Sequence, residues 1–128
     1  MLETGIKGFA CVNVTPANTA LAMGSGTLAV FATPALAALV EQACWQSVAP
    51  HLEQGCCTVG SRLVLAHSAP SPLGAVVRCE CTLVSLEKRK LFFTARMWDD
   101  AGEIGTAEHE RFIVQGDRFR EKAAARKA

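Results

Sequence analysis

The chain has 128 residues, half of them hydrophobic, and a formal net charge of +1. That length suits one domain, residues 1–128, with a real hydrophobic core. The near-neutral balance argues against a polyanion partner such as nucleic acid, and with no Tyr and only Trp45 and Trp98 there are few platforms on which single strands could stack.

Residues 5–14 read as a first strand. Residues 15–26 read as a loop, with Thr15-Pro16 and Gly24-Ser25-Gly26 as turn signals, and a short strand is expected over 27–31. No charged residue occurs from Gly8 to Val40, yet Asn13, Pro16, Asn18, Gly24, Gly26 and Pro34 interrupt the run. No part of it approaches the ~20 apolar residues of a membrane span, so no membrane association is expected.

The stretch ATPALAALVEQACW, residues 32–45, opens the main helix. Thr33 is a suitable N-cap, and Pro34 suits the first helical position, where its missing N–H costs nothing. Pro50 should end the helix near Ala49. At ~100° per residue, Leu36, Leu39, Val40, Ala43 and Ser47 share one face, widened by Ala37, Cys44 and Val48. Glu41 falls at the margin of this apolar arc, near Trp45.

After the helix the period changes to two. Ala75, Val77, Cys79, Cys81 and Leu83 alternate with polar residues, and Leu91, Phe93, Ala95 and Met97 do the same. Residues 58–67 and 103–114 are also strand-like. Glu87-Lys88-Arg89-Lys90 and Asp99-Asp100-Ala101-Gly102 read as turns, and residues 118–128 as a charged tail or terminal helix. A helix that is apolar on most sides needs a sheet around it. The expected class is α+β, an antiparallel sheet wrapped around one long central helix. An open sheet edge and a remaining apolar surface favour a homodimer, with a dimer of dimers as the larger alternative.

The six cysteines do not read as a disulfide framework. No secretory segment is evident before Cys11, and a domain of this size does not need staples. Cys79 and Cys81 lie two apart on one strand face and act as small apolar residues. Cys56-Cys57 with Cys79-x-Cys81 lacks paired CxxC spacing, so no metal site is expected. Reduced thiols and a cytoplasmic location follow as expectations.

The motifs Val30-Phe31-Ala32-Thr33-Pro34, Glu41-Gln42-Ala43, Thr58-Val59-Gly60-Ser61, His67-Ser68-Ala69-Pro70 and Gly105 with His109-Glu110-Arg111 occur in order over residues 28–115. Together they resemble the fluoroacetyl-CoA thioesterase family of hotdog proteins. The resemblance implies a hotdog fold and acyl-CoA thioesterase activity. It implies a catalytic set of Thr33, Glu41 and His67, with Gly60 helping to bind the acyl carbonyl. It also implies coenzyme A as part of the substrate rather than a cofactor, and a site between subunits. One departure stands out. Residues 15–30 are short and rich in Gly, Ala, Ser and Thr, where the fluoroacetate-specific enzyme carries a longer segment with aromatic residues. The resemblance thus implies short-chain acyl-CoA hydrolysis more than that one substrate.

Read as residues alone, these positions keep second meanings. Thioester hydrolysis needs a base or nucleophile and donors for an oxyanion. Glu41 in an apolar setting would be a stronger base than a solvated Glu, or it is a boundary residue reaching water. Thr33 is accounted for by capping alone. His67 at a strand end is a proton-transfer group or a surface histidine, and Gly60 allows close approach or marks a bulge. His109 and Arg111 share a strand face and are either a solvated edge or functional, supporting the pocket or meeting coenzyme A phosphates. Lys88, Arg89 and Lys90 read first as a charged turn. The rival from another class is a non-catalytic acyl-CoA-binding module. A hotdog hydratase is a further rival, but its Asp/His pairing is not found.

Overall fold

The computed structural model describes residues 2–127; Met1 and Ala128, the ends of the expected domain, lie outside the described residues. Chain order is β1 (Lys7–Asn13), a 3-10 turn (Pro16–Asn18), α1 (Ala20–Met23), α2 (Thr33–Val48), a second 3-10 turn (Ala49–His51), β2 (Cys56–His67), β3 (Val76–Glu87), β4 (Lys90–Asp99), β5 (Gly102–Gln115) and α3 (Gly116–Ala125). The strands form one antiparallel sheet in the order β1-β3-β4-β5-β2. The sheet curls on α2, which is the hotdog arrangement, and β1 and β2 are its edges.

The period-two pattern faces the helix as its spacing requires. Val77, Cys79, Cys81 and Leu83 of β3 are fully buried, and so are Leu91, Phe93 and Met97 of β4. They meet Leu36, Leu39, Val40, Ala43, Cys44 and Val48 of α2. The Leu and Val side chains among these contribute about 1.5–3 kcal/mol each by burial. Packing rather than helix propensity therefore holds α2. Helix and sheet meet most tightly at Gly8 of β1. A Cβ there would lie 2.5 Å from the Ala43 carbonyl oxygen and 2.6 Å from Ser47 Cβ, so only glycine lets β1 come this close.

Two local expectations change. Residues 27–31 form no strand and make only the isolated bridges Thr19↔Phe31 and Val30↔Pro72. Their partners are loop segments, which offer no ladder to extend. The expected loop before them contains α1. Thr19 Oγ1 accepts from the Ala22 N–H at 3.2 Å, and Gly24, at φ 72°, closes the turn. The terminal segment is a ten-residue helix, α3, that starts two residues earlier than expected. All six cysteines are free thiols, with Cys44, Cys79 and Cys81 buried. Among the described residues, no helix is long and apolar enough to cross a membrane.

Candidate active site

The start of α2 and the end of β2 meet at Thr33 and His67. Ala32, not Thr33, is the N-cap; Thr33 occupies the first helical position, and no side chain caps the helix. The capping expectation is therefore corrected. The Thr33 hydroxyl instead bonds His67 Nδ1 at 2.8 Å. His67 Nε2 is buried and has no hydrogen-bond partner, which is costly unless a ligand supplies one. Burial pulls the imidazole below its ordinary value of 6.5; the Ala69 backbone opposes this more weakly. Thr33 and His67 share the wall of a cavity of about 290 Å³ with Ala20, Val30, Phe31 and Ala69.

Three chain segments are tied together around this pair. Ser71 is fully buried, and its hydroxyl donates to Asp99 Oδ2 at 2.7 Å. Its carbonyl accepts from the Phe31 N–H at 2.9 Å. Asp99 also accepts from the Ala101 N–H at 2.9 Å. The Ser71 hydrogen bond, aided by backbone N–H groups, holds the Asp99 carboxyl below its usual value. Ser71 thereby clamps the segment before Thr33, the loop after His67 and the β4–β5 turn. Nothing in sequence spacing marks Ser71 and Asp99 as partners, although a serine between two prolines is a visible anchor.

The second group lies further along α2. Glu41 Oε2 is 3.0 Å from Arg111 Nη1. Arg111 also donates from Nε to Thr58 Oγ1 at 2.8 Å, from Nη2 to the Thr58 carbonyl at 2.9 Å, and from Nη1 to His109 Nε2 at 3.0 Å. The His109 Nδ1–H donates to the Arg62 carbonyl at 2.8 Å, which leaves Nε2 as the acceptor that Arg111 requires. His109 is therefore neutral. Burial first, and the Arg111 charge after it, lower its pKa from 6.5, against the Arg62 carbonyl. The two ends of the ion pair differ sharply: the Arg111 side chain is 7% exposed and that of Glu41 44%. Glu41 is not held in an apolar setting, as its helix suggested. Its carboxylate lies at the boundary, fixed by a buried cation.

Gly60 belongs to this group. It sits opposite Arg111, where the β2–β5 register shifts between Gly60 and Arg62. A Cβ on Gly60 would lie 2.6 Å from Glu41 Oε2 and 3.3 Å from Arg111 Nη1. Its first role is thus to leave room for the carboxylate. Thr58, beyond its place in a motif, is the residue that sequence reasoning missed here. The available signal was a polar residue two before Gly60, on the strand that pairs with β5 and sets Gly60 opposite Arg111.

The named residues therefore fall into two sets, Thr33 with His67 and Glu41 with Arg111 and Gly60. Thr33 and Glu41 are eight residues apart on one helix, roughly 12 Å along its axis. The first set offers a hydroxyl and an imidazole for proton transfer and oxyanion contact. The second offers a positioned carboxylate, a base or a nucleophile. Among the described residues, no group of three or more His, Cys, Asp or Glu side chains is placed to hold a metal ion.

Residues 14–117 match a family profile described as fluoroacetyl-CoA-specific thioesterase. A fluoroacetyl-CoA thioesterase from Streptantibioticus cattleyicolor is 36% identical over 93 residues, which cover 73% of this chain and 67% of that protein. A crystal structure of a mutant of the fluoroacetyl-CoA-specific thioesterase FlK superposes with a TM-score of 0.93 at 28% identity, covering 99% of this chain and 98% of that one. A FlK mutant in complex with acetyl-CoA gives 0.92 at 27% identity, with 99% and 100% covered. A hot-dog-like protein from Thermanaerovibrio acidaminovorans shares the fold, with a TM-score of 0.89 at 22% identity and 99% and 94% covered.

Proposed function

The chain belongs to the fluoroacetyl-CoA-specific thioesterase family, and from that premise we propose an active site of two parts, the Thr33–His67 pair and the carboxylate of Glu41. The protein is a thioester hydrolase that acts on a short acyl-CoA. The observation that carries the proposed site is the Thr33–His67 hydrogen bond, which leaves a buried, unpartnered Nε2 at the edge of a small cavity.

In the proposed reaction a water oxygen attacks the thioester carbon while Glu41 takes its proton. The developing oxyanion accepts a hydrogen bond from His67 Nε2–H, a buried donor with no other partner that needs little reorganisation. The tetrahedral intermediate then expels the sulfur, and the C–S bond breaks. The neutral imidazole assists the departure through its Nε2–H hydrogen bond, and the proton that Glu41 took from water passes to the thiolate, giving free acid and coenzyme A and restoring the carboxylate. Glu41 can instead attack directly and form a mixed anhydride, which water then cleaves. Arg111 holds Glu41 in place; four of its five N–H donors are already engaged, which makes it a positioning residue rather than a phosphate ligand. Coenzyme A enters as part of the substrate, and the scheme uses no further cofactor.

A span of roughly 12 Å along α2 is too long for Thr33 and Glu41 of one chain to serve one carbonyl. Strand β2 is a free edge, and antiparallel pairing with a second copy would bring the partner's His67 toward Thr58 and Arg111. Val64 on β2 and Trp45 on α2 are exposed apolar residues that such pairing would cover. The working form is thus proposed to be a homodimer with composite sites, in the cytoplasm, where six free thiols persist.

The test is thiol release from a panel of acyl-CoAs of increasing chain length. Turnover should be highest for the shortest chains. Tight binding with no turnover of any member would favour an acyl-CoA-binding module instead.

A further inference from the structure

Beyond Glu41, two cavities adjoin one another. The nearer, about 350 Å³, is bounded by Trp45, Leu52, Cys56, Thr58 and Arg111. The farther, about 510 Å³, shares Leu52 and Cys56 with it and carries Arg89, Arg118, Phe119 and Lys122 on its wall. The first is largely apolar and reaches the residue that holds Glu41. The second collects three cations against one carboxylate, Glu53. Arg89, Arg118 and Lys122 take part in no ion pair among the described residues. Phe119 is 43% exposed there.

The cations come from separate parts of the chain. Arg89 is in the β3–β4 turn, beside Lys88 at φ 57°, and its carbonyl accepts from the Ile113 N–H of β5 at 2.9 Å. Arg118 and Lys122 stand one turn apart on α3. Three unpaired like charges gathered on one cavity repel one another, a cost that a polyanionic ligand removes.

We propose that the basic cavity seats the 3′-phosphorylated adenosine diphosphate end of the acyl-CoA. The pantetheine arm runs through the nearer cavity to Glu41, and Phe119 offers a face to the adenine. This rests on the thioesterase reading. Two rulers in the fold agree with the length required. From Arg111 to Gln115 along β5 is roughly 14 Å at strand spacing. From Glu41 to His51 along α2 and its 3-10 extension is roughly 15 Å. About thirteen bonds separate the coenzyme A sulfur from its nearer phosphorus, or roughly 15 Å at the extension of a peptide chain. A thioester at Glu41 thus places its phosphates among Arg89, Arg118 and Lys122. The residue pattern alone offered Arg111 as a phosphate contact; the geometry moves that role to the far end of the path.

The experiment uses the full chain and its Arg118→Ala/Lys122→Ala variant. Two thioesters with the same acyl group are compared, acyl-CoA and the N-acetylcysteamine thioester, which lacks the nucleotide. KM for acyl-CoA should rise by roughly tenfold or more with little change in kcat, and the preference of kcat/KM for acyl-CoA over the truncated thioester should fall by the same factor. An unchanged preference would overturn the proposal, and so would an equal loss on both substrates, which marks a structural role. Calorimetry with 3′,5′-adenosine diphosphate gives a reading independent of catalysis. The parent should bind it, more weakly as salt rises, and the variant should lose that binding. If the parent hydrolyses neither thioester, the thioesterase reading fails, and calorimetry alone decides the cavity. Failure of the parent to bind the nucleotide overturns the proposal.

Discussion

The two halves of the candidate site are built by opposite means. At the head of α2, Thr33 and His67 make a single side-chain contact, and the imidazole keeps one nitrogen without a partner. Two turns on, Glu41 is the outermost member of a packed set in which Arg111, His109, Thr58 and the Arg62 carbonyl satisfy one another. The first half has bonding capacity to spare. The second has spent nearly all of it on fixing one carboxylate. In the proposed mechanism the sparse half is left free to bond the oxyanion, and the dense half fixes the carboxylate that serves as base.

Glu41→Gln should break the dense half most severely. It keeps an oxygen for Arg111 while removing the basicity. Turnover should fall by roughly 10²-fold or more, the scale for a lost positioned base, with folding retained by circular dichroism. Thiol release at the parent's rate would reduce Glu41 to a counter-ion for Arg111.

The separation of the halves can be sharpened by mixing. Glu41→Gln and His67→Ala homodimers should each be nearly inactive. In a hybrid of the two, a composite site would recover one intact Glu41–His67 pair. After subunit exchange, activity should return to roughly a quarter of the parent's, from half the molecules being hybrids with one working site each. No recovery on verified exchange would place both halves within one chain.

Gly60→Ala probes the control exerted on Glu41. The added methyl would meet Oε2 at 2.6 Å, so the carboxylate must shift away from Arg111. kcat should drop roughly 10- to 100-fold, as for displacement of a reacting group by about 1 Å. The effect on Tm should be modest, because the displaced atom ends a side chain. Thr33→Ala probes the sparse half. With its anchor gone, His67 should lose roughly tenfold in kcat. Stability should change by less than about 0.5 kcal/mol in a urea titration, where loss of a true N-cap would cost about 1 kcal/mol.

The smallest effect expected is on stability as pH falls. His67 and His109 are both held below 6.5 by burial. Above that pH, neither the folded nor the unfolded chain protonates them. Below it, the unfolded chain takes up protons that the folded chain refuses, so stability declines until the folded values are reached. Asp99 has the opposite charge type but the same sense, and it acts only below about 3.8, its ordinary value. Melting between about pH 7.5 and 5 therefore keeps Asp99 out of the reading. His109→Gln should flatten the slope, and an unchanged slope would deny that His109 is buried neutral.

The elements of the fold were largely legible, because each has a period that burial enforces. Thr33-Pro34 and Pro50 bracket α2, and the alternation at Val77, Cys79, Cys81 and Leu83 needs one wetted and one covered face. The loop before α2 was less so. Val30 and Phe31 look like strand residues, but each meets only a single bridge partner. The members of the candidate site were legible by resemblance, whereas their division into two sets was not. A Thr before a Pro reads as a cap, and only the position of His67 reveals that its hydroxyl is used elsewhere. The Glu41–Arg111 pair joins residues 70 apart, a distance over which no local pattern carries information.

The close seat of α2 on Gly8 has a consequence for how such a protein can change its substrates. With the Ala43 carbonyl and Ser47 pressed on a residue that tolerates no side chain, the helix cannot rise or sink to deepen the cavity beside Thr33 and His67 without losing its contact with β1. Room for a longer chain must come from elsewhere, and Ala20, Ser25, Val30 and Phe31 supply one side of that cavity. Substitutions that retune chain length should therefore gather in residues 15–31, while the helix beneath them keeps its place.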